Sequence, residues 1–344
     1  MNNIKKIGLS ALAGSLVAVS AHAGELSVTG GMTATYATKS GDSGTASDDH
    51  GRGFSTDTGI TFTGSAELDN GFTVSGFVTQ LEGMGAVSSS QMTIGMGSMG
   101  SLKINRVGGG AVNALDDKLP SAWEEASDNS AHDFVGEDIG SGNDDGAISY
   151  HLPELEYAGN TINIGLDYDP AAGVAAGGTG STQVQGLIGT GTGVAVQIGT
   201  AYGLNVYAGV DTVERHNTSD VAGSISKDVF NGTAGAAYTY GPVTVGYQQW
   251  YNDAGLGTHY ASDGTSIAFA VNENLSLSYA SIEETKYQAG VRSLTNVEAS
   301  MKAYNVAYSM GAIAIKAHHG KTDNADFTTT TSNDMTEISV SFAF

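Results

Sequence analysis

The chain has 344 residues, with 36 acidic side chains against 14 Lys and Arg and no cysteine. So strong a negative balance repels polyanions and excludes a nucleic-acid partner. The missing cysteine excludes disulfides, thiolate metal centres and a cysteine nucleophile.

The first 23 residues put Lys5 and Lys6 ahead of an apolar stretch, Ile7 to Val19, and end on the small-x-small site Ala21-His22-Ala23. This predicts a cleaved secretory signal peptide over 1–23 and a single mature domain over 24–344. The stretch is shorter than the roughly 20 apolar residues of a spanning helix, and no later segment reaches that length. Removing it leaves 12 basic against 36 acidic side chains, a net charge of −24. Glycine is abundant at 49 and proline scarce at 4, and no linker divides the chain, so one large sheet is expected.

From Gly24 onward the chain alternates with a period of two, as a strand with one apolar and one polar face does and a helix cannot. Leu26, Val28, Met32, Ala34 and Tyr36 alternate with Ser27, Thr29, Thr33 and Thr35. Ile60, Phe62, Ala66 and Leu68 follow, then Ile162 to Tyr168, Val194 to Ile198 and Leu204 to Val210. The rhythm continues through Val243, Val245 and Tyr247, through Ile267 to Val271, Leu275 to Tyr279 and Ile313 to Ile315, and ends on Ile338, Val340, Phe342 and Phe344. These runs predict an all-β fold of about sixteen strands, roughly 8 to 12 residues each, the length of a tilted bilayer crossing.

The connections alternate between short and long. Short ones lie at Asp69-Asn70-Gly71, Ser98-Met99-Gly100, Glu156 to Asn160, Tyr202-Gly203, Gly241-Pro242, Asn272-Glu273-Asn274 and Met310-Gly311. Longer polar ones are predicted over 38–57, 82–90, 108–146, 170–190, 215–230, 253–263, 287–296 and 323–333. Short periplasmic turns alternating with long extracellular loops mark a closed antiparallel transmembrane β-barrel. Lipid cannot satisfy backbone N–H and C=O groups, so such a sheet must close on itself. A soluble sandwich or solenoid is the competing fold, but the second face of each strand is too polar for a packed interior.

The strand after Ala21-His22-Ala23, the loop segment NRVGGGAVNALDDKLPSAWEEASDN, the hairpin GPVTVGYQ and the terminal ISVSFAF together give the chain its family likeness. On them the mature length resembles the trimeric general porins of alphaproteobacteria. The resemblance implies a sixteen-stranded barrel in a Gram-negative outer membrane, assembled as a homotrimer, with the third loop (108–146) folded inward as a constriction. It also implies that Phe344 is the residue shown to the outer-membrane barrel assembly machinery, and that carboxylates on the third loop face basic side chains on the wall.

Within that loop, Pro120 ahead of Ser121-Ala122-Trp123-Glu124-Glu125 predicts a short helical turn, with Trp123 as the constriction aromatic. Asp116, Asp117, Glu124 and Glu125 are the candidate constriction acids; Asp128, Asp133, Glu137 and Asp138 are read as solvated. Lys103, Arg215 and Lys316 share the polar register of their strands and are expected in the lumen, whereas Arg106 and Lys302 fall on the lipid register, near headgroups. The sparse positive charge makes a cation-preferring pore the expectation.

The outer-loop pairs Asp48-Asp49 and Asp144-Asp145 are candidate calcium sites, or sites bridging to lipopolysaccharide through divalent ions, although such pairs are more often only hydrated. No other cofactor is expected. His318 and His319 are adjacent on a strand and so point to opposite faces; His151 and His318 are expected in the lumen, with no spacing that marks a triad. Gly30, Met32, Ala34, Met92, Ile94 and Met96 form flat outward faces suited to subunit contact or to lipid. Phe72, Tyr157, Tyr202, Tyr240, Tyr308, Phe342 and Phe344 cluster at the short turns, as a periplasmic aromatic girdle does. The sequence therefore reads as a non-enzymatic diffusion channel. A solute-specific channel, a plugged structural or receptor barrel and a barrel hydrolase are the other readings.

Overall fold

The computed structural model describes residues 24–344 apart from 25, 43–49, 82–86, 108, 129, 131, 138, 141–145, 171–187, 216–227, 254, 256 and 289–296. Its strands are β1 (Leu26–Asp42), β2 (His50–Glu67), β3 (Thr73–Leu81), β4 (Val87–Gly95), β5 (Ser101–Val107), β6 (Ile148–His151), β7 (Leu155–Tyr157), β8 (Asn160–Asp169) and β9 (Ile188–Gly199). They continue as β10 (Leu204–Arg215), β11 (Val229–Tyr240), β12 (Val243–Asp253), β13 (Thr258–Ala270), β14 (Leu275–Gln288), β15 (Glu298–Met310), β16 (Ile313–Asp323) and β17 (Ser332–Ala343).

All pairings are antiparallel, and β1 pairs with both β2 and β17, which closes the ring. The seam is completed by the last residue: Gly30 N–H donates to Phe344 O at 2.8 Å and Phe344 N–H to Gly30 O at 2.9 Å. β6 and β7 both pair with β8 and are separated at Pro153, which has no N–H to give a ladder. They are two pieces of one stave, so the seventeen strands make a barrel of sixteen staves.

The seven short turns fall where the sequence places them, and Gly71 and Gly311 take φ of +79° and +62° there, a region closed to most side chains. The loops predicted over 38–57, 82–90 and 253–263 are corrections: β1 runs to Asp42 and β2 starts at His50, β4 starts at Val87 and β13 at Thr258. Their upper ends are polar because they rise above the apolar band, and the ladder does not need lipid to continue.

Outward positions carry the apolar side chains, among them Val28, Met32, Phe62, Val245, Ile267, Val306, Ile315 and Val340, all exposed. So continuous an apolar belt is tolerable only against hydrocarbon. Tyr157, Tyr202, Tyr240, Tyr308, Phe342 and Phe344 ring its short-turn edge, exposed as expected. A second aromatic row, unread in the sequence, rings the long-loop edge: Phe230 lies 6.0 Å from Tyr251, which lies 5.6 Å from His259, itself stacked on Tyr287 at 4.9 Å. Two such rows bound the apolar belt of a transmembrane barrel.

Candidate functional site

The third loop lies inside the barrel, flat against the inner wall, in two passes. The outgoing pass crosses β8, β10, β12, β14, β15 and β16 in turn. Asp167 on β8 accepts the N–H groups of Ala111 and Val112 at 2.8 and 2.9 Å. Gln248 on β12 accepts from Lys118 N–H at 2.8 Å and donates to Leu115 O at 2.8 Å. Trp250 Nε1–H donates to Asp116 O at 2.6 Å. Ser278 Oγ accepts from Ala122 N–H at 2.9 Å, and Asn305 Nδ2–H donates to Glu124 O at 2.7 Å.

Ser130 and Thr322 share a hydroxyl contact of 2.7 Å at the far end. On the return pass His132 Nε2 meets Glu284 Oε2 at 2.7 Å, Gly136 N–H donates to Glu284 Oε1 at 3.2 Å, and Gly140 N–H donates to Asp211 Oδ1 at 2.7 Å. Beneath the loop Val112, Leu115, Leu119, Phe134 and Ile139 pack with Tyr207, Trp250, Ile282 and Met301. Each large apolar side chain so buried is worth roughly 1.5–3 kcal/mol, and each hydrogen bond about 0.5–1.5 kcal/mol net. The loop is a fixed part of the lumen.

Glycines on the inner wall make room for it. A Cβ at Gly246 would collide with Pro120, and one at Gly264 would stand 2.7 Å from Leu119 Cδ1. This packing also explains why the helical turn expected at Pro120 is absent. Residues 121–126 form bends, with Ser121 Oγ–H donating to Glu124 O at 2.7 Å and Glu125 N–H donating to Asp128 Oδ2 at 2.7 Å. The loop's helical turns are single 3-10 turns elsewhere, at Asn113–Leu115 and Val135–Glu137.

All four predicted acids lie on the outgoing pass. Asp117 Oδ1 accepts from Leu119 N–H at 2.9 Å and Asp116 Oδ1 from Asp117 N–H at 2.8 Å, which turns both carboxylates toward the loop itself. Burial pushes both carboxyls above their usual range, against those hydrogen bonds and the nearby Lys118. Glu124 is pushed up to about 8, by burial first and then by Asp128 and Glu337, with Lys316 opposing. Glu125 hydrogen-bonds the Asp117 side chain.

Trp123 stands edge-on to His318 at 6.4 Å, and Lys316 Nζ lies 5.7 Å over its ring. Lys316 is therefore in the lumen, as its register predicts. Lys103 is too, opposite the buried Ser149 of β6. Lys302 faces outward, between the outward-facing Tyr304 and the buried Met301 and Ala303. The side chains of Arg215 and Arg106 lie outside the described residues, as do Asp48, Asp49, Asp144, Asp145, Asp138 and the Glu137 side chain.

The rest of the lumen wall, β1 to β4, presents hydroxyls: Thr29 pairs with Thr61, Thr63 with Ser27, and Thr61 Oγ1 lies 2.9 Å from Thr79 Oγ1. Among the described residues no arginine faces the lumen. Among the described residues the basic facing wall implied by the resemblance is represented by isolated lysines. His318 is buried in the lumen wall and its Nδ1 bonds Asn305 Oδ1 at 2.9 Å, while His319 points outward to Thr336, so the two occupy opposite faces as expected. Sequence reasoning missed the loop's anchors, Asp167, Asp211, Gln248, Trp250, Glu284 and Asn305. Their one signal is a large polar or charged side chain at mid-strand on the water register.

A closed, membrane-belted sixteen-stave barrel with a polar lumen narrowed by its own loop is an outer-membrane channel. The chain belongs to the Gram-negative porin family, whose model matches residues 8–344. The fold is similar to the anion-selective porin from Comamonas acidovorans, at 14% identity and TM-score 0.62, over 93% of this chain and 99% of that one. It is similar also to Salmonella typhi OmpF, solved with daunomycin, at 12% identity and TM-score 0.66, over 93% and 98%. The outer membrane channel DcaP of Acinetobacter baumannii matches at 12% identity and TM-score 0.63, over 94% and 98%. Among curated proteins none matches the chain. The family and the fold are those of channels and not of enzymes, and they place the chain in the outer membrane of a Gram-negative bacterium.

Proposed function

We propose that the protein is a general diffusion porin that prefers cations, its cut-off set by the third loop and its charge preference by the loop's acids. The observation that carries this reading is the asymmetry of the eyelet. Asp116, Asp117, Glu124 and Glu125 stand on one side of a lumen whose opposite wall is mostly Ser and Thr, with Lys39 on the water register of β1, Asp57 and Glu67 on that of β2, and Lys103 on that of β5. Selectivity follows the sign of the lining charge, and a hydroxyl wall exchanges hydrogen bonds with passing solutes without retaining any one of them.

The chain is proposed to assemble as a homotrimer through the β1–β5 face. There an outward cavity of about 700 Å³ is lined by Leu26, Phe62, Val74, Met92 and Ile104 around Gly64 and Gly76. Met32 and Met92 are exposed beside it. Contact with lipopolysaccharide, calcium at the outer loops and recognition of Phe344 by the barrel assembly machinery belong to the same proposal.

Swelling of liposomes carrying the purified protein tests the diffusion reading. Uncharged sugars should enter at rates that fall smoothly with size and do not saturate. Saturation by one sugar alone would favour a solute-specific channel, and no swelling at all a plugged barrel.

A further inference from the structure

The loop between β16 and β17 reaches back into the long-loop mouth of the barrel. There Tyr260 on β13 and Lys286 on β14 pair across the sheet on the water register, two residues along from the pair Ser262 and Glu284. The Phe327 ring lies 5.9 Å from that of Tyr260, and Lys286 Nζ stands 5.6 Å from the centre of each. Phe327 also meets the third loop, its ring perpendicular to that of His132 at 4.9 Å.

The tip of this loop is held in a backbone conformation that it would not keep alone. Asn324, Asp326 and Phe327 have φ of +56°, +52° and +59°. Asn and Asp tolerate that region, but for a side chain as bulky as Phe it is an outlier that persists only where the surroundings enforce it. Asn324 Nδ2–H donates to Glu298 O at 2.8 Å and Asp326 N–H to His132 Nδ1 at 3.0 Å. Thr331 Oγ1 closes the turn, 2.5 Å from Ala325 O and 2.9 Å from Thr328 O. We infer that residues 324–331 form a strap: seated, they pin the return pass of the third loop to the wall, and released, they let that loop swing into the lumen and close the pore.

His132 is the residue that the strap and the wall share. Its Nε2 meets Glu284 and its Nδ1 accepts from Asp326, so a ring clamped at both nitrogens cannot turn. Losing the strap frees one nitrogen and one ring face, and the imidazole can then rotate away from Glu284. Release also relaxes the backbone at Phe327, which offsets part of the contact energy lost. Seated and released loops are thus two discrete arrangements, as a switching element requires.

The strap rests on the channel reading, and single-channel recording separates the two. At a fixed holding potential the parent should show brief closures of its ohmic current. Phe327→Ala removes the ring contacts and should raise the closed fraction about tenfold. Thr331→Val loosens the turn without touching the third loop and should raise it by less; if Phe327→Ala does not fold, this variant decides alone. The chain has no cysteine of its own, and the hydroxyls of Ser130 and Thr322 lie 2.7 Å apart, so Ser130→Cys with Thr322→Cys can tie the third loop to β16 independently of the strap. With that disulfide formed, Phe327→Ala should close no more often than the parent, and a reductant should restore the excess closures. A closed fraction equal to the parent's in the strap variants, or excess closures that persist with the disulfide formed, would overturn the strap. Absence of any potassium current would overturn the channel and the strap together.

Discussion

His132 on the third loop and Glu284 on β14 meet at 2.7 Å with both side chains withdrawn from solvent. The contact is one of a set. Asp326 N–H on the last loop donates to His132 Nδ1 at 3.0 Å, so Nε2 carries the ring proton and donates to Glu284, which also accepts from Ser262 Oγ–H at 3.0 Å. His132 thereby ties the constriction both to the wall and to the loop after β16.

Removing the acceptor should therefore unhook the return pass. Leaving a buried hydrogen-bond donor without its acceptor costs about 1–3 kcal/mol. Glu284→Ala should lower the thermal unfolding midpoint and make single-channel current noisier, while Glu284→Gln, which keeps an acceptor for His132, should do less. Unchanged current noise in Glu284→Ala would show that the loop is held without this contact.

Gly246 gives the loop its seat under Pro120, where a Cβ would collide with the proline ring. Gly246→Val should lift the outgoing pass into the open lumen and lower single-channel conductance, at a cost of about 1–3 kcal/mol from overpacking. Conductance equal to the parent would show that the loop does not rest there.

Glu124 supplies a pH dependence whose sign can be worked out. A carboxyl pushed up to about 8 is mostly protonated and uncharged below that pH and ionised above it. Cation preference should therefore rise as pH climbs from about 7 to about 9, and Glu124→Gln should flatten that rise. The same step persisting in Glu124→Gln would assign the titration to another group.

The seam between Gly30 and Phe344 carries two backbone hydrogen bonds, of 2.8 and 2.9 Å, with the terminal ring lying over the glycine. Deleting Phe344 removes both, at about 1 kcal/mol each. The folded barrel, seen as the heat-modifiable band on a gel, should then unfold at a lower temperature. An unshifted transition would show that closure does not depend on the last residue.

The barrel was legible because lipid imposes one rule on every stave: apolar side chains outward, polar inward, with a period of two. That rule placed the seven turns, set Lys103 and Lys316 in the lumen and turned Lys302 outward. It misplaced the tops of β1 and β2, where the stretch around His50 to Asp57 stands above the apolar band and follows hydrogen bonding alone. The seat of the constriction was not legible, since Gln248 and Lys118 lie 130 residues apart and nothing local to either announces the other. For the same reason Pro120 read as a helix start; the residue that decides its conformation is Gly246, on a distant strand.

The central claim is a water-filled lumen whose charge is set by acids on one side and hydroxyls on the other. The most direct test is the reversal potential of the purified protein in a planar bilayer under a potassium chloride gradient. The account predicts stepwise ohmic current with a reversal potential of the sign that potassium preference gives. A reversal potential of the opposite sign, favouring chloride, or a protein that inserts and passes no current, would contradict it.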